Sequence, residues 1–141
     1  MSATALLDVN ALVALAWDSH VHHAAVRAWF RAHSSLGWAT CPITESGFVR
    51  VSSNRKALPH AISTAAAREV MGSLRRAGRH QFLADDVSIT DADFPPVTGY
   101  RQVTDAHLLT LARRHRVRLV TFDGGLTALA GADGVELLRA V

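Results

Sequence analysis

Short apolar runs alternate along the chain with longer stretches in which apolar residues recur every three or four positions. The short runs predict β-strands at 4–7, 37–41, 81–84, 117–122 and 135–138. The longer stretches predict helices at 10–17, 18–33, 43–52, 62–77, 104–115 and 125–130. This alternation is typical of an α/β fold in which a parallel sheet is covered by helices on both faces.

Turn and cap residues mark the ends of several predicted helices. Asp18 or Ser19 is expected to cap the second helix, and Thr104 is expected to cap the fifth. Gly78 is expected to end the fourth helix as its C-cap. The Asp- and Pro-containing segment 85–101 predicts an irregular connection or a short helix.

Composition narrows the class of protein. The chain has 141 residues, of which 49% are hydrophobic and 19% charged, and this fits one domain over residues 1–141 with a substantial core. Asp8 and Asp18 interrupt the apolar N-terminal segment, so no run approaches the roughly 20 residues that a membrane-spanning helix needs. The single cysteine excludes an intrachain disulfide and favours a cytoplasmic protein. The formal charge of +3 is compatible with a polyanionic partner.

Two carboxylates follow predicted strands directly. Asp8 comes after the first strand and Asp123 after the fourth. Because the carboxyl ends of parallel strands meet at one edge of a sheet, where such folds bind ligands, we expect both side chains at one site. Glu45 follows the second strand by a few residues. Asp105 opens a helix, and simple strand-end geometry favours the opposite edge for it unless segment 85–101 brings the chain back, so topology alone leaves its position open.

The four acids suggest a metal site more strongly together than separately. Each of them alone could cap a helix or stabilise a turn. Two carboxylates about 4 Å apart, however, repel by on the order of 4 kcal/mol at an effective dielectric near 20, so a cluster takes up protons or binds a cation. Hard oxygen ligands favour Mg²⁺ or Mn²⁺. Such an ion suits phosphodiester hydrolysis, because it can orient and deprotonate a water molecule and neutralise charge on the phosphate.

Four sequence blocks carry a family resemblance. They are LLDVNALVAL at 6–15, ITESGFVRV at 43–51, VTDAHLLTLA at 103–112 and VTFDGGL at 120–126. In this order they resemble the PIN-domain family, and more narrowly the VapC ribonuclease toxins of toxin-antitoxin modules. The resemblance implies a three-layer α/β/α PIN-like domain with a central, mostly parallel sheet of about five strands. It also implies an endoribonuclease that depends on Mg²⁺ or Mn²⁺.

The resemblance assigns roles to individual residues. Asp8 and Asp105 are expected to hold the principal metal, while Glu45 and Asp123 complete its shell through water or bind a second ion. In the family topology, the start of the Asp105 helix enters the acidic pocket. Asn10 and Thr121 match polar residues that support the metal ligands.

Basic residues after the second block are candidates for contacts with RNA phosphates: Arg50, Arg55 and Lys56. A solvated basic helix end explains them equally well. The resemblance further implies a homodimer, an RNA substrate, no membrane association and a VapB-type antitoxin whose C-terminal segment blocks the acidic groove.

Other protein classes share parts of this pattern. A haloacid-dehalogenase-like phosphatase needs an acid two positions after its first aspartate, where this chain has Asn10. A receiver domain needs an acidic pair and a lysine late in the chain, but Lys56 is the only lysine. A PIN-fold nuclease of RNA processing and a non-cutting PIN scaffold are the remaining alternatives. Four mutually repelling carboxylates argue against the scaffold.

Overall fold

The sheet is parallel throughout. The computed structural model describes residues 2–130 and 134–139, and the strands in these ranges are β1 (Ala5–Leu7), β2 (Trp38–Thr40), β3 (His80–Phe82), β4 (Arg118–Thr121) and β5 (Val135–Leu137). Their order across the sheet is β3-β2-β1-β4-β5, and every neighbouring pair is parallel. The predicted parallel α/β fold is therefore confirmed.

Helices connect the strands. In the described ranges they are α1 (Val9–Ala16), α2 (His23–His33), α3 (Pro42–Ser52), α4 (Thr64–Leu74), α5 (Val103–Arg114) and α6 (Gly124–Ala130). The segment predicted to be irregular contains a 3₁₀ turn at Tyr100–Gln102, at its end and directly before α5. Among these described helices, none has the length and apolar character needed to cross a membrane.

Alternate strand residues contribute to two separate cores. Leu7 and Val120 pack with α1, α2 and α3 on one face of the sheet, whereas Leu6 and Leu119 pack with α5 on the other. Successive residues of a strand point to opposite faces, so three-residue strands can serve both cores. Burial on both faces explains why β1 and the centre of β4 are continuously apolar instead of alternating with polar residues. The result is the three-layer α/β/α arrangement.

Helix α2 begins later than predicted. Its first residue is His23, and neither Asp18 nor Ser19 caps it. The chain between α1 and α2 instead forms two successive turns, in which the His20 N–H donates to the Trp17 carbonyl and the His23 N–H to the His20 carbonyl. These turns use the backbone groups that an earlier helix start would have needed.

Two other predicted caps are also wrong. Helix α4 ends at Leu74, with Arg75 at its C-cap, so Gly78 lies beyond the helix. Gly78 has a φ of +59°, and a Cβ there would come within 2.7 Å of the Ser34 carbonyl oxygen, so it serves the tight turn before β3. Thr104 lies inside α5, because the preceding 3₁₀ turn already supplies the start of that helix.

Candidate active site

Asp8 is held by two adjacent strands at the carboxyl edge of the sheet. It follows β1 and occupies the N-cap of α1, where its Oδ1 accepts the N–H of Ala11 at 2.8 Å. Its Oδ2 accepts the hydroxyl of Thr121 at the end of β4, and its own N–H donates to the Val120 carbonyl at 3.1 Å. The side chain is only 6% exposed. These contacts fix the carboxylate in one orientation.

Asp123 lies beside Asp8 because Thr121 contacts both residues. The Thr121 hydroxyl oxygen accepts the N–H of Asp123 at 2.9 Å while its proton goes to Asp8. Asp123 Oδ1 in turn accepts the N–H of Gly125 at 2.8 Å, at the start of α6. The support that the sequence predicted for Thr121 is thus visible as hydrogen bonds to one predicted ligand and to the backbone of another.

Asp105 joins this pair from the first turn of α5. Its carboxyl is close enough to Asp123 and Asp8 for the charges of both to raise its pKa. Of the two positions that the sequence left open for Asp105, the structure therefore has the one at the carboxyl edge. Strand β3 ends at the carboxyl edge, so α5 starts there and runs back across the sheet to the start of β4.

The electrostatics of the three aspartates show an excess of negative charge. Burial raises the pKa of Asp8 to about 6, against the opposing effect of the Thr121 and Ala11 hydrogen bonds. Burial, followed by the charges of Asp123 and Asp8, raises the pKa of Asp105 to about 6. Each shift means that the ionised form lacks a compensating positive charge. An oxygen-only donor set in this condition fits a divalent cation such as Mg²⁺ or Mn²⁺.

The three aspartates do not already have the geometry of a metal-binding group. Within the described residues, no group of three or more His, Cys, Asp or Glu side chains is arranged to hold a metal ion. Like charges repel, so carboxylates without a counter-ion are expected to stay apart. The structure thus shows the aspartates close together, with the charge of Asp123 acting on both Asp8 and Asp105.

Glu45 makes different contacts from the aspartates. It lies in the first turn of α3, where its Oε2 accepts the hydroxyl of Thr40 at 2.5 Å and lies 3.4 Å from the Arg75 guanidinium. None of its hydrogen bonds or ion pairs within the described residues reaches the three aspartates. The predicted quartet therefore appears as a trio with a fourth acid held by separate partners.

Thr40 was missed by the sequence reasoning, although it supports Glu45 as Thr121 supports Asp8. Its fully buried hydroxyl also lies 2.7 Å from His80 Nε2 on β3. Burial, with a smaller effect from Arg75, lowers the pKa of His80 to about 4, so the ring is neutral at pH 7. Since the ion-paired carboxylate only accepts, Thr40 donates to Glu45 and His80 Nε2–H donates to Thr40. The sequence signal for this role of Thr40 was its position: it ends β2 as Thr121 ends β4.

Replacing Thr40 with valine should release Glu45 without altering the size of the side chain. For the RNA cleavage that the family resemblance implies, we expect turnover to fall by about 10- to 100-fold, the loss typical when a residue that orients a metal ligand is removed. Loss of the hydroxyl also leaves buried polar groups unpaired, at a cost of about 1–3 kcal/mol in unfolding free energy. The measurement is kcat at saturating RNA, under conditions where both chains are folded.

The matched control for this test is Thr40→Ser, which keeps the hydroxyl. It should recover most of the turnover lost in Thr40→Val. Equal activity of the valine variant and the wild type would show that the Thr40 hydroxyl has no positioning role.

The other predicted residues lie outside the hydrogen-bond network of the trio. Asn10 is exposed on α1, and its side chain makes no hydrogen bond within the described residues. Arg50 is exposed in the last turn of α3. Arg55 and Lys56 are exposed in the loop after α3, where the Lys56 N–H donates to the Asn54 side chain. Their proposed role toward RNA stays a prediction.

Comparison with known proteins decides the family. The PIN domain family model matches residues 5–132, which is most of the chain. The chain belongs to the PIN-domain family. Ribonuclease VapC38 of Mycobacterium tuberculosis is 70% identical over 126 residues, covering 89% of each chain. Ribonuclease VapC39 of the same species is 48% identical over 138 residues, covering 96% of this chain and 99% of the relative. The resemblance to VapC-type PIN proteins is thereby confirmed.

A solved PIN structure supports the fold independently. The crystal structure of M. tuberculosis VapC20, described as a Sarcin-Ricin loop cleaving toxin, superposes with a TM-score of 0.60. The match covers 96% of this chain and 99% of VapC20 at 15% sequence identity. At that identity, the similarity supports the shared PIN fold alone.

Proposed function

We propose that this PIN-domain protein is the endoribonuclease toxin of a toxin-antitoxin module and that it depends on Mg²⁺ or Mn²⁺. The main support is that Asp8, Asp105 and Asp123 lie close together at one edge of the sheet. The pKa values of Asp8 and Asp105 are raised there. The VapC ribonucleases among its relatives support RNA as the substrate. The overall positive charge suits a polyanionic substrate.

The chain's own residues have distinct tasks in this proposal. Asp8 and Asp105 would hold the ion directly, with Asp123 beside them and Glu45 acting through water or at a second ion. Thr121 fixes the orientation of Asp8, and Thr40 fixes that of Glu45. When bound, the ion would supply charge neutralisation at the phosphate and activation of a water molecule. Cleavage is expected to leave a 5′-phosphate and a 3′-hydroxyl.

The proposed partners follow from the same family membership. We propose a homodimer and a VapB-type antitoxin whose C-terminal segment covers the acidic edge. A nuclease of RNA processing would share the fold and the acids without such an antitoxin. Expression of the chain alone should arrest growth, and co-expression of the neighbouring antitoxin should restore it. Normal growth during expression of active enzyme would favour the RNA-processing alternative.

The direct test of the proposed function is cleavage of total RNA by the purified chain with Mg²⁺, Mn²⁺ or a chelator. Cleavage should occur with either ion, should stop when the ion is chelated and should return when it is added back. Sequencing of the new 5′ ends would identify the cut sites and the target class. Equal cleavage in the chelator would contradict metal dependence. Absence of cleavage under all conditions, with intact RNA binding, would support a silent scaffold.

A further inference from the structure

A basic groove runs between α3 and α4 beside Glu45. It has a volume of about 660 Å³, and its charged lining residues are Glu45, Arg50, Arg68 and Arg75. Arginines come from both helices, so the positive charge belongs to both walls. Glu45 lies at the N-terminal end of α3, next to the carboxyl edge of the sheet. The groove therefore reaches the edge that carries the acidic site.

The arginines of the groove differ in their contacts. Arg75 pairs with Glu45 and lies over the ring of Phe82, with its guanidinium carbon 5.0 Å from the ring centroid. Arg50 and Arg68 are exposed and form no ion pair or side-chain hydrogen bond with any residue in the described ranges. Their guanidinium groups can therefore meet a ligand without first breaking an internal ion pair.

The groove continues along α4. A second cavity of about 640 Å³ shares Arg68 and Gly72 with the first, and it adds Arg76 and Glu69. A Cβ at Gly72 would meet no atom within 4 Å, so the glycine leaves open space where the two cavities join. An extended ligand can thus pass from the region of Glu45 along α4 without a steric block at this position.

We propose that this α3–α4 groove binds the phosphodiester backbone of the RNA strand on one side of the cleavage point, with Arg50 and Arg68 as the main phosphate contacts. The inference rests on the proposed ribonuclease function. It identifies Arg68 as a contact that the sequence did not suggest and gives Arg50 a partner across the groove. Arg75 connects the α3–α4 groove to the acidic edge, because its guanidinium pairs with Glu45.

The charged and hydroxyl groups of the groove fit a phosphate backbone, and Val49 and Met71 add apolar surface beside them. Guanidinium groups bind phosphate oxygens through two parallel hydrogen bonds. The lining also contains the hydroxyl groups of Ser46, Ser53 and Thr64, which can donate to phosphates. Because backbone contacts carry no base information, the groove should fix the position of the strand and contribute affinity without selecting the sequence that is cut.

The test is binding of a short fluorescein-labelled single-stranded RNA, followed by fluorescence anisotropy over a range of salt concentrations. All chains carry Asp8→Asn so that the RNA stays intact. Adding Arg50→Gln and Arg68→Gln should weaken RNA binding. It should also make the negative slope of log affinity against log salt concentration shallower by about 1.4, because each phosphate contact on a single strand contributes about 0.7. The matched control carries Arg27→Gln and Arg31→Gln, which remove two exposed arginines of α2. Its salt slope should stay unchanged.

A second pair of variants separates position from net charge. Gly72→Glu places a carboxylate in the groove and should weaken RNA binding. Ser19→Glu adds the same charge at an exposed position in the turn between α1 and α2, outside the groove, and should leave RNA binding unchanged. Unfolding midpoints of both variants show whether each chain is folded.

The outcomes distinguish the groove from the proposed function. If the wild type cleaves RNA but the groove variants bind RNA as tightly and with the same salt slope as the control, the groove proposal is wrong and the ribonuclease proposal stands. If the groove variants change the oligomeric state but not RNA binding, the groove is an interface between copies, which also overturns the proposal. If the wild type neither binds nor cleaves RNA, the proposed function itself fails.

Discussion

Asp8→Asn is expected to abolish most RNA cleavage while leaving the fold intact. Asp8 is the most buried of the three clustered aspartates and is oriented by hydrogen bonds from two elements. Asparagine can keep the contact with Ala11, but it removes the negative charge that a cation needs. Metal-assisted charge stabilisation is worth several kcal/mol, so turnover should fall by on the order of 10²- to 10³-fold. The measurement is the initial rate of cleavage of a labelled RNA at saturating Mg²⁺.

Asp18→Asn is the matched control for this experiment. Asp18 is exposed in the turn between α1 and α2, and no contact joins it to the clustered aspartates within the described residues. Its loss changes the net charge by the same amount, so the control variant should cleave RNA at the wild-type rate. Comparable activity of Asp8→Asn and Asp18→Asn would refute the assignment of Asp8.

The same Asp8→Asn substitution should make the metal-free protein more stable at neutral pH. Burial raises the pKa of Asp8 from 3.8 to about 6, so the folded state carries a buried charge that the unfolded state does not. A shift of this size corresponds to roughly 3 kcal/mol in unfolding free energy above the folded-state pKa. We therefore expect a large gain in stability together with a large loss of activity, which misfolding cannot produce.

The pH dependence of this stability gain has a definite sign. The carboxyl has a raised pKa in the folded state, so the wild type takes up a proton on folding between about pH 6 and pH 4. Its penalty disappears as the pH falls through this window, and the difference between the two chains should shrink toward zero. His80 has a lowered pKa, but it is present in both chains and cancels in the difference. Asp105 does not cancel: the charge of Asp8 raises its pKa, so removal of that charge adds to the difference in the same direction and over the same pH window. Urea unfolding across this pH range in the presence of a chelator measures this difference.

If the difference in unfolding free energy between the two chains stays constant with pH, the stability gain comes from packing instead of charge. A less stable variant at neutral pH would contradict the electrostatic account of Asp8. In both cases the activity measurement keeps its meaning, because it is made at saturating metal and compared with the Asp18 control.

The arrangement of the sheet and of two site residues was predictable from sequence because it depends on local pattern. Continuous apolar runs identify strands buried on both faces, and parallel strands bring their carboxyl ends to one edge. Asp8 follows β1 directly and Asp123 comes two residues after β4, so their meeting required no side-chain detail. Thr121 came from the family resemblance, and its two hydrogen bonds now give that role a physical basis.

Only one of the two contacts of Glu45 is local: Thr40 lies 5 residues away, whereas Arg75 lies 30 residues away and could not be predicted. Its neighbours Thr40 and Arg75 come from β2 and from the end of α4, and no periodicity links them. The start of α2 was also mispredicted, because backbone turns competed with side-chain capping at Asp18. Local propensity ranks such alternatives, but the tertiary structure decides between them.

The most direct test of the central claim is the affinity of the full chain for Mn²⁺, measured by isothermal titration calorimetry on the wild type, Asp8→Asn, Asp105→Asn and the Asp18→Asn control. If the clustered aspartates share one ion, each of the two site substitutions should weaken Mn²⁺ binding by more than about tenfold. About tenfold is the lower end of the loss in metal affinity expected when only a residue that supports a ligand is removed. The Asp18 control should match the wild type. Wild-type affinity in both site variants would show that these carboxylates do not share a metal.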